Sequence, residues 1–163
     1  MKYQGFMPND FLNGEGVCVS LWTSGCPFHC KGCHNPETWD KESGYDIPSD
    51  LLDKLYQAIS ANGITRNFSV LGGEPLAEWN RSFVKNILLN IKKKFPNIKI
   101  FLWTGYTIEE LTKIPDNDLQ EILKIVDTLI DGRYDESQRD ISLKLRGSRN
   151  QRILEKNKDY LLS

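Results

Sequence analysis

The chain has 163 residues, enough for one domain with a real core, and its 39% hydrophobic and 26% charged residues are ordinary for a soluble globular protein. A formal net charge of −1 at pH 7 argues against a non-specific nucleic-acid binder, and no apolar run approaches the length of a membrane span. The N-terminal residues Met1 to Asp10 lack the apolar stretch of a signal peptide, so the expected setting is cytoplasmic and reducing, with no membrane and no nucleic acid as partner.

In chain order, Val17 to Thr23 reads as a strand, with Val17, Val19 and Leu21 on one face. A cysteine-rich loop follows it. Ser49 is the expected N-cap of a helix running to about Ala61, with Leu51, Leu52, Leu55 and Ile59 on one side. Asn67 to Leu71 is a short apolar strand entering the turn Gly72-Gly73-Glu74-Pro75. From about Trp79 to Phe95, residues Phe83, Val84, Ile87, Leu88, Ile91 and Phe95 form an apolar helical stripe closed by Pro96. Ile98 to Trp103 reads as a buried strand, followed by the turn Thr104-Gly105-Tyr106. Thr107 and Glu110 have the spacing of a capping box for a short helix. A further helix over Asp118 to Ile125 and a strand over Thr128 to Ile130 complete the pattern, and the chain turns polar after Tyr134. Strands alternating with helices imply βαβ units and a parallel sheet, in which sites gather at the carboxyl ends of strands. The cysteine loop, the Gly-Gly-Glu-Pro turn and the Thr-Gly-Tyr turn all follow strands, and are therefore read as one site.

Cys26, Cys30 and Cys33 have the spacing C-x3-C-x2-C, an odd number of thiols in one loop. Disulfides use thiols in pairs, and a closed zinc site takes four ligands, so three thiolates suggest a metal site with one position left open. Seven extended steps would span up to roughly 25 Å, so the loop must curl to aim its sulfurs inward. Gly25, Pro27, Gly32 and Pro36 supply bends. Thiolates suit iron–sulfur clusters and zinc. A zinc site would need His29 or His34 as fourth ligand, and each adjoins one of the cysteines already counted. Cys18, in the preceding strand, is read as an ordinary strand cysteine. Gly72 and Gly73 allow a backbone to approach a small ligand closely, and Glu74 either accepts from an ammonium or organises the turn. Thr104 either offers its hydroxyl to the pocket or belongs to a structural turn. Between Lys144 and Lys158 the six basic residues Lys144, Arg146, Arg149, Arg152, Lys156 and Lys158 face only Glu155 as acid, a pattern that usually solvates a surface.

The cysteine spacing after the first strand, with Gly-Gly-Glu-Pro after the next, resembles the radical S-adenosylmethionine superfamily. Phe11-Leu-Asn-Gly-Glu-Gly16, Gly25 to Asn35 with Thr38-Trp39, Gly72 to Leu76, Trp103 to Tyr106, Leu129 to Arg133 and Arg146 to Gln151 are similar, in order, to the family that activates anaerobic ribonucleoside-triphosphate reductases. The resemblance implies an incomplete parallel β/α barrel over residues 1–163, with the segment from about 133 to 163 closing the site or docking the partner. It implies a [4Fe–4S] cluster on Cys26, Cys30 and Cys33, with S-adenosylmethionine on the fourth iron and contacts from Gly32, Cys33, His34, Gly72, Gly73, Glu74 and Thr104. Reductive cleavage of S-adenosylmethionine would give a 5′-deoxyadenosyl radical that abstracts hydrogen from a glycine of the large reductase subunit, with an electron donor such as a flavodoxin. The wider superfamily often carries an aromatic residue where this chain has Gly32. Alternatives are another small radical S-adenosylmethionine enzyme, or a zinc-stabilised binding module without catalysis.

Overall fold

Side-chain alternation along four neighbouring strands sets the architecture of this chain. The computed structural model describes residues 1–160. In chain order the elements are β1 (Lys2–Asp10), β2 (Cys18–Thr23), β3 (Tyr45–Asp46), α1 (Leu51–Ile59), β4 (Asn67–Gly72), α2 (Arg81–Lys94), β5 (Ile100–Trp103), α3 (Ile108–Thr112), α4 (Asn117–Ile125), β6 (Thr128–Asp131) and β7 (Arg152–Glu155). The seven strands form one open sheet in the order β3-β1-β2-β4-β5-β6-β7. Strands β2, β4, β5 and β6 are parallel, joined by helical crossovers. The expected parallel sheet is corrected at both edges, where β1 pairs antiparallel with β2 and β3, and β7 pairs antiparallel with β6.

Register places like residues side by side. Val19 lies beside Phe68 and Leu21 beside Val70; Phe68 then neighbours Ile100, and Val70 neighbours Leu102, which lies beside Leu129. These side chains are fully buried and join the main core with Leu55 and Ile59 of α1, Val84, Leu88 and Ile91 of α2, and Leu119 and Ile122 of α4. Each such side chain contributes about 1.5–3 kcal/mol on burial. The alternate positions, Cys18, Ser20, Ser69 and Phe101, are equally buried but lie under a loop. Asp10 pins that loop by accepting from the Leu12 and Asn13 amides and from Ser20 Oγ (2.9, 3.1 and 2.7 Å). Ser69 Oγ donates to the Asn13 carbonyl at 2.6 Å.

Local signals act largely as expected. Thr107 and Glu110 form the capping box of α3, and Asp116 caps α4 by accepting from the Leu119 amide. Helix α1 starts one residue later than expected, with Asp50 rather than Ser49 at its N-cap and no side-chain cap bond. A 3-10 turn over Glu78–Asn80 precedes α2. Beyond Tyr134 the polar segment holds a 3-10 turn (Glu136–Gln138) and β7; residues 161–163 of the expected 133–163 closing segment lie outside the described residues.

Candidate functional site

Loops leaving β2, β4, β5 and β6 enclose a cavity of about 490 Å³, floored by Trp22, Leu71 and Trp103 from the loop-covered face of the sheet. Cys26, Cys30, Cys33 and His34 line one side, Gly72, Gly73, Glu74 and Thr104 another, and residues 143–151 a third. Thus eight of the nine residues expected at the site share one cavity. Gly32 does not line it. It has φ of +75°, and a Cβ there would lie 2.9 Å from the Glu136 carboxyl carbon, so glycine before Cys33 answers to backbone conformation and to Glu136.

The cysteine loop is pinned at its base. Gly25 and Cys26 amides donate to the Thr38 and Trp39 carbonyls (2.6 and 2.9 Å), and the Cys33 amide donates to the Cys30 carbonyl at 3.1 Å. Backbone amides turn toward each sulfur: Phe28 and His29 toward Cys26, Tyr134 toward Cys30, and Asn35 toward Cys33 at 3.4 Å. Burial pushes the Cys26 and Cys30 thiols up while these amides pull them down. Among the described residues, no three His, Cys, Asp or Glu side chains form a group that would hold a single metal ion. His29 stacks flat on Trp39 (4.6 Å, 8°), and His34 lies 5.3 Å from the Tyr134 ring. Soft donors around a cavity, each met by a backbone amide, fit the ligand chemistry of an iron–sulfur cluster. Cys18 sits at the opposite end of β2, roughly 17 Å along the strand by its rise per residue, buried and donating to the Glu15 carbonyl.

The Gly-Gly-Glu-Pro turn is tied to the cysteine loop. The Gly73 amide donates to the Thr23 carbonyl (3.0 Å), the Glu74 amide to the Gly25 carbonyl (2.8 Å), and a Cβ on Gly73 would collide with that same carbonyl. The Gly73 carbonyl accepts no hydrogen bond among the described residues, which leaves an acceptor beside the cavity. Glu74 is 1% exposed. Its carboxylate accepts from Gly105 N at 2.6 Å, Thr104 Oγ1 at 2.7 Å and Leu76 N at 2.9 Å. Burial pushes its pKa up to about 7 against the pull of those three donors and the Arg133 charge. Glu74 therefore staples two strand-end turns together, and the Thr104 hydroxyl hydrogen is committed to it.

Several lining residues were given no individual role in the sequence. Gln151 organises the last wall: its Oε1 accepts from the Gly147 and Ser148 amides (3.0 and 3.1 Å), and its Nε2 donates to the Gly132 carbonyl at 3.1 Å. Arg133 grips Glu110 with two bonds of 3.0 Å and lies 4.3 Å over the Phe28 ring. The basic run is dispersed, since Arg152 pairs with buried Asp131 and with Glu109, Lys156 reaches Asp127, and Arg146 lines the cavity. The Arg146-Gly-Ser-Arg-Asn-Gln151 run and the expected closing segment from about 133 had signalled this wall; of the floor, Trp103 lay in the Trp103–Tyr106 landmark, and Trp22 and Leu71 were signalled by period-two alternation alone.

A family model described as a 4Fe-4S single cluster domain matches residues 12–154. Three relatives are each described as an anaerobic ribonucleoside-triphosphate reductase-activating protein. The protein of Vibrio cholerae is 38% identical over 154 residues, covering 94% of this chain and 97% of the relative. That of Enterobacteria phage T4 is 36% identical over 153 residues, covering 94% and 93%. That of Escherichia coli K12 is 32% identical over 152 residues, covering 93% and 96%.

Proposed function

This chain belongs to the family of anaerobic ribonucleoside-triphosphate reductase-activating proteins, and from that premise we propose that it activates such a reductase by generating a glycyl radical on its large subunit. The observation that carries the proposal is the meeting of Cys26, Cys30 and Cys33 with the Gly72–Glu74 turn in one cavity of about 490 Å³, a volume typical of small-molecule sites. A [4Fe–4S] cluster supplies, when bound, the electron for reductive cleavage of S-adenosylmethionine. Cys26, Cys30 and Cys33 would hold it.

The chain's own residues bind, orient and exclude water. The Gly73 carbonyl offers an acceptor to an ammonium. His34 and Tyr134 shield the cysteine side, and the apolar floor of Trp22, Leu71 and Trp103 suits an adenine ring. Residues 143–151, with Arg133 and Tyr134, close the third wall. No acid–base dyad is needed for hydrogen-atom transfer. We read the open mixed sheet as one layer of an incomplete β/α barrel whose unclosed side admits the partner's glycine segment. Phe11 and Leu12, 73% and 83% exposed, and Ile141, 88% exposed, provide apolar contacts for it; Leu12 also lines the cavity. A flavodoxin-class protein fits as electron donor, and a reducing cytoplasm as setting.

Anaerobic reconstitution with iron and sulfide, followed by reduction with S-adenosylmethionine, tests this reading. The wild type and Cys18→Ala are expected to release 5′-deoxyadenosine, and Cys26→Ala, Cys30→Ala and Cys33→Ala to release none. A wild-type protein that takes up a cluster yet never cleaves S-adenosylmethionine would sink the proposal.

A further inference from the structure

The wall that closes the cavity carries a cation, Arg146, that makes no ion pair among the described residues. We propose that the Nε–Nη2 edge of Arg146 seats the carboxylate of the aminoacyl end of S-adenosylmethionine, an assignment that rests on the function proposed above. Arg146 lines the cavity, and its Nη1 donates to the Gln151 carbonyl at 3.2 Å. Its Nε is buried and has no hydrogen-bond partner among the described residues. A buried donor without an acceptor is costly, and in a side chain that lines a cavity it points to a ligand as the missing partner. The Nε and Nη2 hydrogens of a guanidinium run parallel, at the spacing of the two oxygens of a carboxylate.

Two other charged side chains that line the cavity are already engaged. Arg133 is already held by Glu110. Glu74, the carboxylate that could have neutralised Arg146, is occupied by Thr104, Gly105 and Leu76.

Backbone geometry fixes where the guanidinium sits. Leu145 has φ of +64°, a region that bulky side chains avoid. Trp103 Nε1 holds it there by donating to the Leu145 carbonyl at 2.7 Å. On the other flank, a Cβ placed on Gly147 would lie 3.1 Å from the Tyr134 ring and 3.5 Å from His34 Nε2. Arg146 is thus clamped between the end of β5 and the residue that follows Cys33. Strain kept at such a place is characteristic of ligand clamps. The amino and carboxylate groups of an amino acid bound near the cysteines would find the Gly73 carbonyl on one side of the cavity and the Arg146 fork on another.

The test compares two ligands on the anaerobically reconstituted protein by equilibrium binding. S-adenosylmethionine carries the carboxylate; 5′-methylthioadenosine keeps the nucleoside and the 5′ sulfur, as an uncharged thioether in place of the sulfonium, and has no aminoacyl end. Arg146→Gln is expected to weaken S-adenosylmethionine by roughly tenfold or more, and Arg146→Lys, which keeps charge but loses the fork, by less. Both variants should bind 5′-methylthioadenosine as the wild type does, with unchanged cluster absorbance. Wild-type affinity of Arg146→Gln for S-adenosylmethionine overturns the assignment, as does equal loss of both ligands, which would make Arg146 structural. A wild-type protein that binds neither ligand overturns instead the function on which the assignment rests.

Discussion

The two faces of the central sheet are both covered and are differently built. On one, Val19, Leu21, Phe68, Val70, Ile100, Leu102 and Leu129 meet helices, and apolar contact satisfies the side chains. On the other, Cys18, Ser20 and Ser69 lie under a loop held by Asp10, and Trp22, Leu71 and Trp103 floor the cavity. Helices complete their backbone hydrogen bonds internally and can cover an apolar face; loops cannot, and bring polar partners with them. The helix face therefore sets whether the chain folds, and the loop face sets what it binds.

Substitutions on each face should separate these roles. Phe68→Ala, which empties a fully buried site against the helices, is expected to cost about 3–5 kcal/mol in denaturant unfolding, without changing cluster content per folded molecule. Selective loss of the cluster from folded Phe68→Ala would break the division.

Glu74→Gln is expected to cost about 1–3 kcal/mol, because an amide nitrogen must face one of the donors that the carboxylate now accepts from. The same residue gives a pH signature in cluster-free protein. Its folded pKa lies at about 7, above the ordinary 4.5, so the folded chain keeps a proton that the unfolded chain releases. The contribution is complete below 4.5 and is lost as pH rises through about 7. Unfolding free energies measured across that range should slope less in Glu74→Gln than in the wild type; equal slopes would place the titration elsewhere.

Trp103→Phe should be the mildest. It keeps most of the cavity floor but removes the bond to Leu145, costing about 0.5–1.5 kcal/mol. If that bond positions Arg146, the variant weakens S-adenosylmethionine binding several-fold more than it weakens 5′-methylthioadenosine. Equal effects on both ligands would limit Trp103 to the floor.

How far the sequence could be read follows the same division. The parallel strands and α2 announce themselves because helix-facing positions repeat with period two or with helical spacing. Strand β1 does not: Gly5 and Pro8 interrupt it, and its register with β2 shifts between Tyr3 and Gly5 and again between Met7 and Asp10. Strand β7, Arg152–Glu155, is short, half-buried and anchored by the Arg152–Asp131 pair, which joins residues 21 apart in the chain. At the site, the cysteine spacing was legible because one loop holds it. The use of Glu74 was not, since Thr104 and Gly105 lie 30 and 31 residues away. Nor was the role of Arg146, which looks like any member of a basic run until the turn at Leu145 is seen.

The most direct measurement is electron paramagnetic resonance of the anaerobic reductase after incubation with reduced, reconstituted protein and S-adenosylmethionine. A glycine-centred radical on the reductase with the wild type, and none with Cys33→Ala, is the expected result. A radical of equal intensity with Cys33→Ala, or none with a wild type that cleaves S-adenosylmethionine, would contradict the account.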